Sequence, residues 1–366
     1  MEQYVEGVHL HRTGENRAEI DALAALVGGR VGLGGVLADL DRRGHRVWTR
    51  PLWPPGRAVH RAFTWDREDR RTTRWWPQGI TTSADASAGE DVAGRRIFAV
   101  SWYAKDLGEG GQGSRITFVD RESRRYRHVL LVVPRFARDG SLQVLPLRVH
   151  AGGVVWCGDH LHVAATARGF MTFRLDDLMR VPDPGPGDPQ RLGVDGDRVS
   201  AYGYRYVLPV RFAYQSFAEE GHERLRYSFL SLDRSVSPPH LVAGEYTSAE
   251  QGSRRLAHYP LDPDSLLLQT GEDGISRPLR LEPKGVAHTQ GVVVVEGEYY
   301  LSVSRGSTVC GSVYVGRPGA FRRFLMATPM GPEDLSWWPS TDELWSVTEH
   351  PGRRWVFSMR RSWFDR

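Results

Sequence analysis

The chain has 366 residues, 40% of them apolar and 25% charged, proportions of a folded globular protein that argue against wholesale disorder. No apolar run approaches the ~20 residues a spanning helix needs, and the N-terminal MEQYVEGVHLHRTGENRAEID lacks a basic stretch followed by an apolar one. Neither a membrane nor a secretory signal is expected, and the chain reads as cytoplasmic.

The net charge is +4, but 44 carboxylates are scattered among the basic residues, so nucleic acid is not an expected partner. Only Lys105 and Lys284 are lysines and every other basic residue is arginine, a bias that fits a GC-rich bacterial genome. Cys157 and Cys310 are the only cysteines, too few for a disulfide framework or a cysteine-rich metal site.

In chain order, the first element expected is a helix in NRAEIDALAALVGG, with Asn16 as its cap and Gly28 as its stop. A second short helix is expected in GGRVGLGGVLADLDRRG. GLGG is not a phosphate loop, because no Lys-Ser/Thr follows it and no strong strand precedes it. Residues 1–59 therefore read as a helical or irregular appendage.

From residue 60 onward one unit recurs: a polar turn, a short apolar run ending in small residues, a loop with Gly or Ser, and an alternating run. It occurs at 95–120 (RRIFAVSWYAKDLGEGGQGSRITFVD), 159–177 (DHLHVAATARGFMTFRLDD), 239–262, 297–316 and 342–361 (DELWSVTEHPGRRWVFSMRR). A further run precedes most copies: QGITTSAD at 78–85, GGVVWCGD at 152–159, QGVVVVEG at 290–297 and DLSWWPSTD at 334–342. In three of them only a tight turn separates that run from the next, as in a β-hairpin. For the third copy the first run is expected at 204–214 (YRYVLPVRFAY), with LRYSFLSLD at 225–233 as an added strand. A fourth run follows several copies, as in YRHVLLVV at 126–133 and FRRFLMAT at 321–328.

Repeated four-stranded antiparallel units are the pattern of a β-propeller, and the expectation is an all-β, five-bladed ring over residues 60–366. The last copy ends almost at Arg366 and leaves its outermost strand missing. A strand from about 60–66 is placed to supply it and close the ring. The chain thus resembles the β-propeller superfamily. Its phrases PQGITTS, TQGVVVVEGEYYLSV and PEDLSWWPSTDELWSV resemble the entry strands of propeller lactonases and lyases. The resemblance implies the architecture and transfers no functional residue.

In a propeller the loops entering each innermost strand and those between its second and third strands share one face, around the channel mouth, where sites form. The entries supply Trp75, Trp76 and Gln78, His150, Tyr204 and Tyr206, His288, Thr289 and Gln290, and Glu333 with Asp334. The other loops supply Trp102, Tyr103 and Lys105, Arg168, Glu245 and Tyr246, Arg305, and Glu349 with His350. The expected acid–base groups are His288, His350, Glu349 and His150. Arg305, Arg168, Lys105, Gln78, Gln290, Tyr103, Tyr246 and Trp76 are expected to hold a small anionic or polar organic molecule.

These residues point to a non-redox, cofactor-independent enzyme: a lyase, cyclase, isomerase or lactone-type hydrolase, of the kind found in bacterial biosynthesis. A protein- or sugar-binding scaffold, and a glycosidase using carboxylates among Glu245, Glu333 and Glu349, are the alternatives. No metal is assigned. Zinc would need His150, His288 and His350 or Glu333 to converge, and calcium would need channel carbonyls with Glu or Asp. No GxSxG motif occurs, and Cys157 falls inside a core strand, so a nucleophilic triad is not expected.

Overall fold

The computed structural model describes residues 4–47, 56–105, 111–182, 190–249 and 251–366. The Gly-rich loop 106–110 and the 48–55 part of the N-terminal segment lie outside the described residues. The chain is an all-β propeller. Its first sheet is Trp75–Thr82, Ile97–Ala104, Ser114–Asp120 and Arg125–Phe136, each antiparallel to the next. The third is Phe229–Asp233, His240–Gly244, Leu256–Pro260 and Arg280–Glu282. The fourth is Thr289–Val295, Glu298–Val303, Ser312–Arg317 and Ala320–Phe324. The last is Pro332–Trp338, Glu343–Thr348 and Trp355–Arg360, to which Val59–Thr64 is added antiparallel. Ile97, Phe98, Ala99, Val100 and Trp102 are all fully buried, because both faces of a blade pack on neighbours. This is why these strands read as unbroken apolar runs rather than alternating ones.

The second sheet departs from this order, so the equal copies expected from the sequence are regular in four sheets. Val154–Cys157, His160–Ala164 and Phe170–Arg174 pair in turn, but the next strand of the sheet, Phe212–Ala218, comes only after the excursion 175–211. Within that excursion Tyr206–Pro209 lies parallel to Arg125–Phe136, with Val207 opposite Leu130. The run at 204–214 is therefore not the first strand of the third copy, and that strand is Phe229–Asp233 within LRYSFLSLD. β-Branched and aromatic residues favour an extended strand but do not name its partner.

The N-terminal segment is helical at Arg17–Val27 and Gly32–Leu37, and Ile20, Leu23, Ala24 and Val27 bury against Tyr126, Leu130 and Val132 of the first sheet. Gly28, at φ +87°, ends the first helix in the left-handed conformation. Asn16 does not cap the helix with its side chain; its amide donates instead to the Val210 carbonyl at 3.0 Å. The segment is also more than an appendage. Val8–Arg12 pairs with Phe212–Ala218, Arg42–Arg43 with Arg125 and Tyr126, and His45–Arg46 with Phe63 and Thr64. Among the described residues no helix is long and apolar enough to cross a membrane.

The first strands lie side by side around the axis, each against that of the next sheet, and the last returns to the first. Glycine sets how close they come. A Cβ on Gly79 would lie 2.7 Å from the Val154 nitrogen, one on Gly153 2.3 Å from the Leu230 nitrogen, and one on Gly291 2.5 Å from the Asp334 Cα. Backbone meets backbone at these points, which only glycine allows. The register of three first strands shifts at this same level, between Pro77 and Ile80, Thr289 and Gly291, and Pro332 and Leu335. Such bulges re-aim side chains, here those of Gln78, Gln290, Glu333 and Asp334. Below them, the buried Asp334 carboxylate accepts from Val154 N–H at 3.3 Å. At the far end Asp85 of the helix Ser83–Ala86 takes hydrogen bonds from Thr81 and Ser336 and pairs with Arg234 at 3.4 Å.

Candidate functional site

The entry strand of the first sheet and the turn after Glu343–Thr348 meet over the mouth. Gln78, bulged out of its strand and buried, donates from Nε2 to Pro77 O at 3.0 Å and to Glu349 Oε2 at 3.2 Å. His350 follows, with Nδ1 3.6 Å from Glu349 Oε1. Both side chains can face inward because the chain turns at 350–352, where Arg353 N–H reaches the His350 carbonyl. The His350 ring stands edge-on to Trp76, centroids 5.8 Å apart. It rests on Gly331, where a Cβ would lie 2.6 Å from Nε2. That buried Nε2 has no partner among the described residues.

Glu333 lies beneath this pair, 2% exposed, with no hydrogen-bond partner for its carboxyl among the described residues. Burial, then the nearby charges of Glu349 and Asp334, push its pKa well above the ordinary carboxylate range. Burial thus favours its protonated form, beside the accessible Glu349 carboxylate. Tyr103 joins the same field: burial and the charges of Glu349 and Glu333 raise its pKa, against the pull of Arg354. Tyr246 on the far side is shifted up by burial and the same two glutamates.

Lys105 Nζ sits 3.3 Å over the Trp76 ring, a cation–π contact on the rim. Tyr103 packs on His150, centroids 4.4 Å apart. His150 is exposed to solvent, and desolvation by its neighbours, with the charge of Lys105, lowers its pKa. Tyr103 and His150 also line a cavity of about 490 Å³ with Arg148, Thr166 and Arg168, and Arg168 is steadied by a hydrogen bond to the Arg148 carbonyl at 2.9 Å.

Several expected residues stand elsewhere. Arg305 is exposed on its loop and touches none of the mouth residues. His288 is exposed, 6.4 Å ring to ring from Tyr246, on the opposite side from His350. Gln290 is half-buried at its bulge. Trp102 does not face the mouth: adjacent strand residues point to opposite faces, and while Tyr103 turns to the channel Trp102 is fully buried against Trp65 and His128. Trp75 likewise faces away and holds the Arg115 guanidinium 4.5 Å over its ring. Tyr204 bonds Arg115 and Tyr206 bonds Asp39, both far from the mouth. Glu245 is not a free carboxylate, since Arg255 and Ser253 bind both its oxygens. Among the described residues no three His, Cys, Asp or Glu side chains group closely enough to hold a metal ion, so His150, His288 and His350 do not form a shared ligand set. Both cysteines are free, and burial raises the Cys157 thiol far above its usual range.

The residue missed from the sequence is Arg354. It donates from Nε to the Glu349 carbonyl at 2.7 Å and from Nη1 to the Asp69 carbonyl at 2.8 Å. It is fully buried, its Nη2 has no partner among the described residues, and burial and Arg115 lower its pKa to about 10. It braces the Glu349 turn from behind. One of its two carbonyl partners, Asp69, is 285 positions away, and no local sequence pattern reveals that contact.

No family model and no curated protein matches the chain. Among solved structures it is similar to a glucose dehydrogenase (12% identity, 87% of this chain and 90% of that one, TM-score 0.35). It is also similar to a gluconolactonase from Xanthomonas campestris (16%, 86% and 89%, 0.34) and to the hydrazine synthase of Kuenenia stuttgartiensis (13%, 77% and 76%, 0.32). Likenesses this distant carry no argument about what the chain does.

Proposed function

We propose that the chain is a five-bladed ring whose channel mouth is an acid–base active site for a small organic molecule bearing an anionic or strongly polar group. The count is supported by the first strands, which follow one another around the axis as Trp75–Thr82, Val154–Cys157, Phe229–Asp233, Thr289–Val295 and Pro332–Trp338. The observation that carries the chemistry is the pairing of Glu333, kept protonated by burial, with Glu349, which is accessible and oriented by Gln78. A carboxyl stripped of water, next to one that is accessible and hydrogen-bonded, offers a proton donor and a proton acceptor in one site.

In a lactone-type hydrolysis Glu349 would take a proton from the attacking water and Glu333 would protonate the departing alkoxide. In a lyase or isomerase the same two groups would remove and return a proton on carbon. His150, neutral and facing the adjoining cavity, is a second base within the site. Lys105, Arg168 and Arg148 give the anionic end of the substrate a place to bind, while Trp76 and Tyr103 wall its apolar part. A glycosidase would use two such carboxyls, and Glu349 acts electrostatically on Glu333 whereas Glu245 is bound by Arg255 and Ser253.

The test is turnover of small lactones, hydroxy acids and glycosides, followed by proton release at constant pH. Glu333→Gln and Glu349→Gln should each lower the rate by about 10²–10⁴ while the variants stay folded. A substrate turned over equally well by both variants would remove these residues from the chemistry. No turnover and no thermal stabilisation by any compound would favour a binding scaffold.

A further inference from the structure

The first and last sheets enclose a second cavity at the opposite end of the ring. In the first sheet Tyr103 pairs with Ser114 near the mouth and Ile97 pairs with Asp120 at the far end. Arg96 and Arg121 therefore stand away from the mouth. Together with Arg46, Arg61 and Arg124 they line a cavity of about 330 Å³. The carboxylates near these five guanidinium groups include Glu122 in the lining, Glu343 just behind it, 3.5 Å from both Arg61 and Arg121, and Glu90, which acts on Arg96 but is engaged by Trp338 and Ser340. Glu343 is already engaged by His60 at 2.6 Å and Ser358 at 3.2 Å.

The cavity also collects unsatisfied polar atoms. Arg121 Nη1, Arg124 Nε, Trp345 Nε1 and Thr341 Oγ1 are all buried without a hydrogen-bond partner among the described residues, and all four side chains line this space. Buried donors are normally paired, and three of these four atoms can only donate. Arg121 is held rigidly, its guanidinium 4.5 Å over Trp338 and 5.6 Å from Trp345. Burial lowers its pKa; Glu343 and Glu122 oppose that, and Arg96 and Arg61 add to it.

We propose that this cavity binds a small, multiply charged oxyanion of the phosphate-ester or diphosphate class, at the seam where Val59–Thr64 joins the last sheet. Only a ligand rich in acceptors and negative charge satisfies converging guanidinium, indole and hydroxyl donors together. A volume of about 330 Å³ favours a small molecule over a polymer. Arg61 and Phe63 lie on the closing strand, so a bound anion would tie that strand to the first sheet and stabilise the closed ring.

The test is calorimetric titration of the full chain with inorganic pyrophosphate and with orthophosphate, at ionic strength held constant with sodium chloride, alongside thermal melts. Saturable one-site binding is expected, tighter for pyrophosphate, with a rise in melting temperature. Arg61→Gln and Arg96→Gln should each weaken it about tenfold or more. Arg61 is 58% exposed, so its variant should fold normally. Glu333→Gln should leave binding unchanged. Absence of saturable binding, binding untouched by both arginine variants, or loss of binding in Glu333→Gln would each overturn the proposal.

Discussion

Gln78 Nε2 and Glu349 Oε2 lie 3.2 Å apart although 271 positions separate them in the chain. One belongs to the entry strand of the first sheet and the other to the turn of the last, so the hydrogen bond ties these two neighbouring sheets at the mouth, where the ring closes. A hydrogen bond to a charged acceptor contributes about 1.5–3 kcal/mol. A cycle of Gln78→Leu, Glu349→Gln and the double variant should return a coupling of about 1–2 kcal/mol in urea unfolding. Additive single effects would mean that the contact contributes nothing to stability.

Glu333 gives the fold a pH signature. Its pKa is raised in the folded state, so the folded protein holds this proton where the unfolded chain has released it. The stability gained from it is full below the unfolded value, near 4.3, and falls as pH rises through the folded value. Glu333→Gln removes that loss. The variant should melt higher than the parent at pH 7–8, by about 2 °C or more, and the difference should shrink towards pH 4. A variant less stable than the parent at pH 8 would contradict a neutral, buried Glu333.

Gly331 sits at φ +63°, and a Cβ there would come within 2.5–2.6 Å of the His350 ring. Gly331→Ala should therefore cost about 1–3 kcal/mol in stability and push His350 away from Glu349. Two-dimensional NMR of the histidine rings should show the His350 resonances moved and those of the distant His162 unmoved. An unshifted His350 spectrum would place its ring somewhere other than on Gly331.

Three buried histidines make the propeller acid-labile. Burial lowers His128 to about 4, and His162 and His258 to about 3. Each is neutral in the fold and becomes charged in the unfolded chain below about pH 6.5. Their contribution is whole above that value and is lost as pH falls from 6.5 to 3–4, on the order of 3 kcal/mol for a buried group of this kind. Asp69, held low despite its burial by the Arg115 and Arg42 charges and by its hydrogen bond with the His128 ring at 2.9 Å, loses its stabilising charge in the same direction. Urea midpoints should fall steadily between pH 6.5 and 4. Replacing His258, whose Nε2 lies 2.8 Å from the Tyr299 hydroxyl, by Gln should flatten part of that slope, and an unchanged slope would show that His258 does not titrate on unfolding.

The arrangement of sheets was legible where strand pairs are local. Val292–Val295 and Glu298–Val303 meet across a two-residue turn, and both partners are visible within a dozen residues. The third copy was misplaced because 204–214 has the composition of a central strand, while its partners, Arg125–Phe136 and Phe170–Arg174, lie far upstream. The mouth was readable in part for the same reason. Tyr103, Lys105, Glu349 and His350 follow from their positions at strand ends, whereas the facing of Trp102 required the register of its strand.

The sequence by itself determined the all-β character, the recurring strand–turn–strand unit and the strand ends that gather at the mouth, because apolar periodicity and turn residues act over a few positions. Tertiary structure alone decided that Glu333 is stripped of water beside Glu349, that Arg354 braces the turn from behind, and that five arginines share one cavity at the seam. Burial and Coulombic fields depend on which distant strands close the space around a side chain, and no local pattern in the chain encodes that neighbour.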